Sequence, residues 1–546
     1  MYIYPNTTVK ILHNVSLNND YDHTMFFDGK IAQTEYFLSK AKYTLSNQSY
    51  QRKERGWIQV DINQNNLWDC TYLMFQNTAY NNKWFYAFIL SVDYVNDSVS
   101  KINFEIDVIQ TWFFDFTVEK CFVEREHSST DIAGDNTIDE GLDLGPEYHV
   151  QANARYNLDC TRICVVEAGR WNTTTDEYLP YDGYKCLNYY TGMRFTSFDL
   201  LNANSLDELR QHLKSYIEHG IEDAIVAIYQ YPRFMGEMPL SASGSENYGY
   251  VTLDYAFYPN TVQVDGYIPK NKKLFTYPYN FIEIDNGLGD TAKFKMELWD
   301  SSHVGNFRIY GTPHGVPTCA CMPVYYNGEA NSYQNALTNK INIQSAWSGD
   351  AYQVWLARNE KNVGINVGLN AARALGGGLL LAGGVATGKP RLAYSGGMML
   401  ANGVLSGVDT VLDIIRKKNE TNATPDPVHG QITNDMLNLQ SNLNHFAFRQ
   451  KTVRQEYAKI IDEYFSRFGY ASHRVKVPNI YNITFPRKYW AYTKTVGCEI
   501  VGNIPSDDTV KIKSIFDNGV TFWNMYQLNL NNKSFGDYDD FTNPTM

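Results

Sequence analysis

The sequence predicts a mainly β fold with an α+β insertion, on three observations. Tyr numbers 41 and aromatic residues make up 14% of the 546-residue chain, with Asn and Asp scattered between short apolar runs. That is the composition of strands and turns more than of helices. Trp57-Ile-Gln-Val-Asp-Ile62 and Lys101-Ile-Asn-Phe-Glu-Ile-Asp-Val108 alternate apolar and polar residues at period two, as strands with one buried face do. Helical spacing is strongest between 336 and 470, where it flanks a long, nearly uncharged, Gly-rich stretch.

Taken in order, residues 1–145 read as an N-terminal all-β domain carrying both period-two runs. Residues 146–335 are mixed. Ser205-Leu-Asp-Glu208 has the spacing of a capping box, and Leu206, Leu209, Leu213, Tyr216 and Ile217 then share one helical face. Ala224-Ile-Val-Ala-Ile-Tyr229 follows as a buried strand. In 336–373, Asp350 can cap a helix with Tyr352, Trp355 and Leu356, which runs on through Val363, Ile365, Val367 and Leu369. Past the Gly-rich stretch, 409–433 holds a basic helix end, Arg416-Lys-Lys418, and a linker with Pro425 and Pro427. In 434–470, Leu439, Leu443, Phe446, Val453, Tyr457, Ile460, Tyr464 and Phe468 recur at helical intervals and predict one long amphipathic helix. Residues 471–546 return to strands, including Thr521-Phe-Trp-Asn524, and would complete the N-terminal domain around the middle as an insertion.

The Gly-rich stretch, 374–408, is the candidate functional segment. Its first arm carries Leu375, Gly376, Gly377, Gly378, Leu379, Leu380, Leu381, Gly384 and Val385; its second carries Leu392, Met398, Met399, Leu400, Val404 and Leu405. Lys389, Pro390 and Arg391 form the turn, and Lys389 and Arg391 are its only charges. Small residues let backbones approach closely where water does not drive packing, and Gly384/Gly388 and Gly403/Gly407 repeat at four-residue spacing. As helices the arms would reach only roughly 22 to 26 Å, less than a ~30 Å hydrocarbon core. The segment is therefore no conventional transmembrane anchor. Its composition suits a membrane-entering hairpin and a buried Gly-rich hairpin alike.

Other motifs carry less. Gly383-Gly-Val-Ala-Thr-Gly-Lys389 spells most of a phosphate-binding loop, but Pro390 stands where Ser or Thr must reach Mg²⁺. Cys160/Cys164 and Cys319/Cys321 lack partner pairs at zinc spacing, so buried free thiols are expected. Asp139-Glu140 and Glu124-Arg-Glu-His127 offer carboxylates of the kind a glycosidase uses, and equally of the kind ion pairs use. No cofactor, metal or catalytic residue is expected. A net charge of −12 and a pI near 5.4 exclude a surface built to grip nucleic acid, and would suit a wall along which DNA slides. Mean hydropathy of −0.39 describes a soluble chain. The start, Met1-Tyr-Ile-Tyr-Pro5, has no basic segment followed by an apolar run, so no signal peptide is expected and synthesis is expected in a cytoplasm.

Tyr72-Leu-Met-Phe-Gln-Asn-Thr-Ala-Tyr-Asn-Asn-Lys-Trp-Phe-Tyr-Ala-Phe88, Phe104-Glu-Ile-Asp-Val-Ile-Gln-Thr-Trp112, Arg125-Glu-His127 and Asn136-Thr-Ile-Asp-Glu-Gly141 resemble the distal tail-knob proteins of small, short-tailed, protein-primed bacteriophages of the phi29 type. Phe468-Gly-Tyr470, Arg474-Val-Lys-Val-Pro-Asn479 and Ile515-Phe-Asp-Asn-Gly-Val-Thr-Phe-Trp523 do so too. The matches cover roughly 1–145 and 435–525; between them only the order of features is shared. The resemblance implies a homo-hexameric ring with a β-barrel-like tube domain in each subunit, attached to the proximal tail tube. It further implies apolar loops that plug the lumen, then enter the host cytoplasmic membrane as a channel for double-stranded DNA, which passes without tight binding. Stretch 374–408 sits where that loop belongs. The alternative, from a different class, is a tail protein that binds or hydrolyses cell-wall glycan.

Overall fold

The structure, a computed structural model, describes residues 6–539 other than 49–55, 129, 182–184, 187–188, 191–192, 238–250, 288, 313–317, 329–336, 341–342, 345–346, 349–427, 430–444 and 480–486. The apolar stretch 374–408, the helix expected after Asp350, and the Gly383–Lys389 run lie outside the described residues. The chain divides into two compact units: the first is 1–148, 262–279 and 453–546, the second 149–261 and 280–452.

The first unit is built on a six-stranded antiparallel sheet, in the spatial order Ala41–Gln48, Thr7–His13, Cys70–Gln76, Trp84–Asn96, Val99–Ile106 and Gly56–Val60. Two of its central strands carry unbroken apolar runs, Tyr72–Phe75 and Phe85–Phe88, because both faces are covered there. Leu73 and Phe75 point into a core shared with Ile512, Phe516 and Phe522, while Tyr72 and Met74 enter another with Phe37, Trp490 and Trp523. Edge strand Gly56–Val60 keeps the simple alternation, with Ile58 and Val60 buried and Trp57 exposed. A second, five-stranded sheet joins both ends of the chain: His23–Phe26, Val520–Asn524, Trp490–Val496, Cys121–Glu126 and Tyr470–Lys476, with only the first pair parallel.

Helices interrupt the expected all-β stretches. Lys30–Ser39 and Val108–Trp112 lie in the N-terminal part, and Ser506–Asn518 and Met525–Leu530 in the C-terminal part. Residues 262–279, expected in the middle domain, return to the first unit.

The second unit contains three four-stranded sheets among the described residues. One holds His149–Asn157, His445–Thr452, Asn280–Asp285 and Thr291–Phe294. Another, Arg194–Asp199, Arg162–Glu167, Ile225–Tyr231 and Ile343–Gln344, is covered by helix Ala203–Glu218, whose Leu209, Tyr216 and Ile217 pack on Val165, Ile225 and Ile228. That helix and strand were legible, but the cap was misplaced. Asn202 caps the helix by accepting from the Asn204 amide at 3.0 Å, while the Ser205 hydroxyl accepts from the Asp199 amide.

The single helix expected over 434–470 is corrected. His445–Thr452 is a strand between two neighbours, and the helix is Gln455–Phe468. Phe446 and Phe448 are fully buried at period two, and the break falls at Val453-Arg454, where Arg454 is extended. The buried helical face is Ala458, Ile461 and Phe465, with Ile460 exposed, one position away from the expected stripe. Likewise, the described parts of the stretch assigned to a helix before the apolar segment are strands Leu337–Lys340, Ile343–Gln344 and Trp347–Ser348.

Candidate functional site

The nearest described residues on either side of the apolar segment are paired with each other. Trp347–Ser348 pairs antiparallel with Val428–His429, matching Trp347 to His429 and Ser348 to Val428. The residues before this pair are anchored as well, since Ile343–Gln344 pairs with Tyr229 and Gln230, and Leu337–Lys340 with Thr318–Cys321. The described residues on the two sides of 349–427 are thus neighbours in one strand pair. The stretch expected to be linker near Pro427 contributes a strand to that pair. Leu375 through Leu405 themselves fall between these ends, outside the described residues.

The carboxylates that suit a glycosidase are spent on structure. Glu140 is buried against the equally buried Lys273 ammonium and the Arg125 guanidinium, and accepts from the Ala471 amide at 3.1 Å. Burial, with Arg125 next in effect, draws the Lys273 ammonium down to about 7. Arg125 also donates to the Gly469 carbonyl at 2.7 Å and lies over the Tyr464 ring. Glu126 is buried beside Lys476 and accepts from the Asn479 amide at 3.0 Å; burial raises its carboxyl, and Lys476 partly offsets this. Glu124 pairs with Lys494 at 2.9 Å. Glu126 and Glu140 are thus buried in ion pairs, whereas Glu124 stays partly exposed in its pair with Lys494 and Asp139 is exposed and accepts from the Gly141 amide at 3.0 Å.

His127 follows the same pattern. The Tyr492 amide donates to its Nδ1 at 2.7 Å, so Nε2 carries the proton and donates to the Ser466 carbonyl at 3.0 Å. Burial, then the Arg487 charge, holds the imidazole well below its ordinary value, and it is neutral.

Sequence reasoning missed the centre of this network. Asp462, on the buried face of helix Gln455–Phe468, accepts from the Tyr267 hydroxyl at 2.7 Å, the Lys270 amide at 2.8 Å, and both the amide and the side chain of Asn271. Asn271 also donates to the Ser466 hydroxyl at 2.9 Å. An acidic residue between Ile461 and Phe465 was the one available signal; its partners lie 190-odd positions upstream. Buried charges persist when they are paired and hydrogen-bonded, and this set clamps 262–279 onto the helix. Cys319 and Cys321 are buried free thiols, and no group of metal-ligating side chains occurs among the described residues.

Residues 246–540 match the family model for the C-terminal domain of the Bacillus phage phi29 tail knob protein gp9, and residues 5–117 match the caudoviral major tail protein N-terminus. The chain is 26% identical to tail knob protein gp9 of Bacillus phage B103 over 95% of its length and 96% of the relative's, and 25% identical to that of phage phi29 over the same shares. Among solved structures, the bacteriophage C1 tail knob protein gp12 superposes with a TM-score of 0.61 at 14% identity, over 96% of this chain and 98% of that one.

Proposed function

The chain belongs to the family of phi29-type phage tail knob proteins, and from that premise we propose that it forms a hexameric tube at the tail tip whose apolar loops first plug the lumen and then open the host membrane. It is a structural component of the virion tail and not an enzyme. In this reading the tube wall is the first unit, the second unit carries the loops, and other tail proteins hold the ring to the tail. Loops 374–408 enter the host cytoplasmic membrane, and the genome passes through the channel they form.

One observation carries the loop's role. Between Ala374 and Val408 the sequence carries two charges, and the nearest described residues on either side, Trp347–Ser348 and Val428–His429, pair with each other, which supports a loop whose two ends stay together. Six such loops could bury one another in a tube and later bury the same surface in lipid, two states whose balance a small difference in affinity can tip.

The test is dye release from anionic liposomes, with negative-stain images of the same preparation to count subunits per ring. Glu at Leu380 or Leu400 would place a carboxylate in hydrocarbon at about 2 to 3 kcal/mol per copy. The wild type should release dye once its plug is freed; Leu380→Glu and Leu400→Glu should form the same rings and release none near neutral pH. If Leu400→Glu releases dye as the wild type does, the arms stay out of the membrane and the loop is a plug alone.

A further inference from the structure

At one corner of the first unit two cysteines meet. Strand Trp490–Val496 pairs with Cys121–Glu126 up to Val496 opposite Phe122, and after a bend at Gly497 the same two runs of chain pair again, Ile500 opposite Val118. Between these ladders the Glu119 amide donates to the Glu499 carbonyl at 2.9 Å, so the backbones stay adjacent through the corner. Cys121 and Cys498 sit on opposite sides of it. Both are free and buried in the same core as Val118, Val123, Ile512 and Phe516, and each thiol is close enough to act on the other's proton equilibrium. By the register on either side, Phe122 opposite Val496 and Val118 opposite Ile500, Cys121 falls opposite Gly497 and Cys498 one position further along; strand spacing and rise put such diagonal neighbours roughly 6 Å apart at Cα, inside the span that a disulfide bridges.

From this juxtaposition we infer that Cys121 and Cys498 are a latent disulfide pair, reduced while the chain folds in a cytoplasm and closed by thiol–disulfide exchange once the assembled tail is outside the cell. The second half, the change of compartment, rests on the virion-tail reading; the pairing itself does not. The oxidant is a low-molecular-weight disulfide. One protein thiolate attacks it and releases one small thiol, leaving a mixed disulfide; the second protein thiolate attacks that bond and releases the other small thiol. Two protons leave the two cysteines, and the external disulfide is reduced to two thiols.

Burial, first, and the neighbouring Asp517 carboxylate disfavour both thiolates, Cys498 more strongly. Asp517 is fixed there by the Thr495 hydroxyl at 2.8 Å and the Cys498 amide at 3.2 Å. Exchange therefore waits on local opening of the corner and is slow. Once formed, the bond encloses every residue of the second unit, 149–261 and 280–452, between a strand of the N-terminal part and one of the C-terminal part, and so restrains the unfolded chain over a very long loop. Cys319 and Cys321 are the competing pair, but they occupy successive same-face positions of one strand, roughly 6.6 Å apart at Cα by ordinary strand rise, at the far limit of disulfide reach.

The experiment uses the full-length purified protein, incubated for days with oxidised glutathione at pH 8 and mapped by mass spectrometry of non-reduced peptides. The expected result is a Cys121–Cys498 linked peptide that dithiothreitol abolishes, together with a rise in melting temperature that Cys498→Ser does not show under the same oxidant. Cys121→Ser and Cys498→Ser proteins that fold and melt normally when reduced provide the baseline. Free thiols at both positions after oxidation, glutathione adducts without the link, or a linked protein that melts lower than the reduced one would each overturn the pairing. Virions denatured in alkylating agent separate the two halves: a linked peptide there supports closure outside the cell, whereas alkylated Cys121 and Cys498 in virions, with the link formed by the purified protein, would overturn the timing and leave the pair.

Discussion

His127 shows how one side chain sets a pH limit on a fold. Its two ring nitrogens already have partners that require the neutral form, an amide donor at Nδ1 and a carbonyl acceptor at Nε2. A second proton would face the Tyr492 amide in a site that Arg487 and Arg125 make positive. The folded value is depressed below the ordinary 6.5, so below that pH the unfolded chain binds the proton and the folded one does not. Stability therefore falls as pH drops from 6.5 toward the folded value, by at most about 1.4 kcal/mol per pH unit for one proton. Asp107 acts in the opposite sense: burial raises its carboxyl to about 6, so the folded state binds its proton first and gains stability on acidification between about 6 and the ordinary carboxylate range. In urea titrations at pH 7.5 and 5.5, His127→Gln should cost stability at the higher pH and lose less than the wild type on going to the lower. Parallel losses would mean that His127 is not the proton acceptor. Gly469 makes a sterically simpler case. It ends helix Gln455–Phe468 at φ +66, and a Cβ there would overlap the Glu126 carbonyl and the His127 amide. Backbone cannot retreat as a flexible side chain can, so Gly469→Ala should lose about 2 kcal/mol or more of unfolding free energy, whereas Gly497→Ala, with open space around it, should lose about 1.

Among the elements, the strand pair nearest the apolar segment makes a specific claim about modularity. The described strands nearest 374–408 are paired to each other, and those just before them to the sheets of the second unit. Replacing 374–408 by a short Gly/Ser linker should leave a soluble protein with the same melting temperature within a few degrees and the same subunit number in solution. Aggregation or a large drop in melting temperature would show that the segment belongs to a core. Elements also explain where sequence patterns misled. Phe446 and Phe448 obey period two and Ala458, Ile461 and Phe465 obey a helical period, yet the apolar residues from Leu439 to Phe468 can be strung on one helical stripe. Only the partners of His445–Thr452 on both sides, His149–Asn157 and Asn280–Asp285, make it a strand, and they come from far away in the chain. Ser205 had the spacing of a cap, but Asn202 lay closer to the last extended residue and took that role.

For the protein as a unit of assembly, charge is the property that survives any detail of packing. Acidic side chains outnumber basic ones, 59 to 47, and some of the basic ones are already paired inside the fold, as Lys273, Arg125, Lys476 and Lys494 are, which weakens the attraction that counterion release from DNA would supply. Retention of duplex DNA by the purified protein at physiological salt should be weak and non-specific. Submicromolar binding in a filter or mobility assay would reveal a basic stripe that net charge conceals, and would contradict a conduit with non-adhesive walls.

Local patterns were enough to declare a mainly β chain, the period-two strands Gly56–Val60 and Val99–Ile106, the helix and strand after Asn202, and the singular composition of 374–408. These depend on neighbours within a few residues, and a linear text records those. The assignment of carboxylates was another matter. Glu140 read as a candidate acid until Lys273 and Arg125 closed on it, and Asp462 drew no notice until 262–279 folded over it. A charged group's role depends on what surrounds it in low dielectric, and here Lys273 lies 133 positions from Glu140 and Lys270 192 from Asp462. Tertiary structure alone decided that these charges are internal ties, that the first unit draws on three separated stretches, and that Trp347–Ser348 and Val428–His429, on either side of the apolar segment, pair with each other.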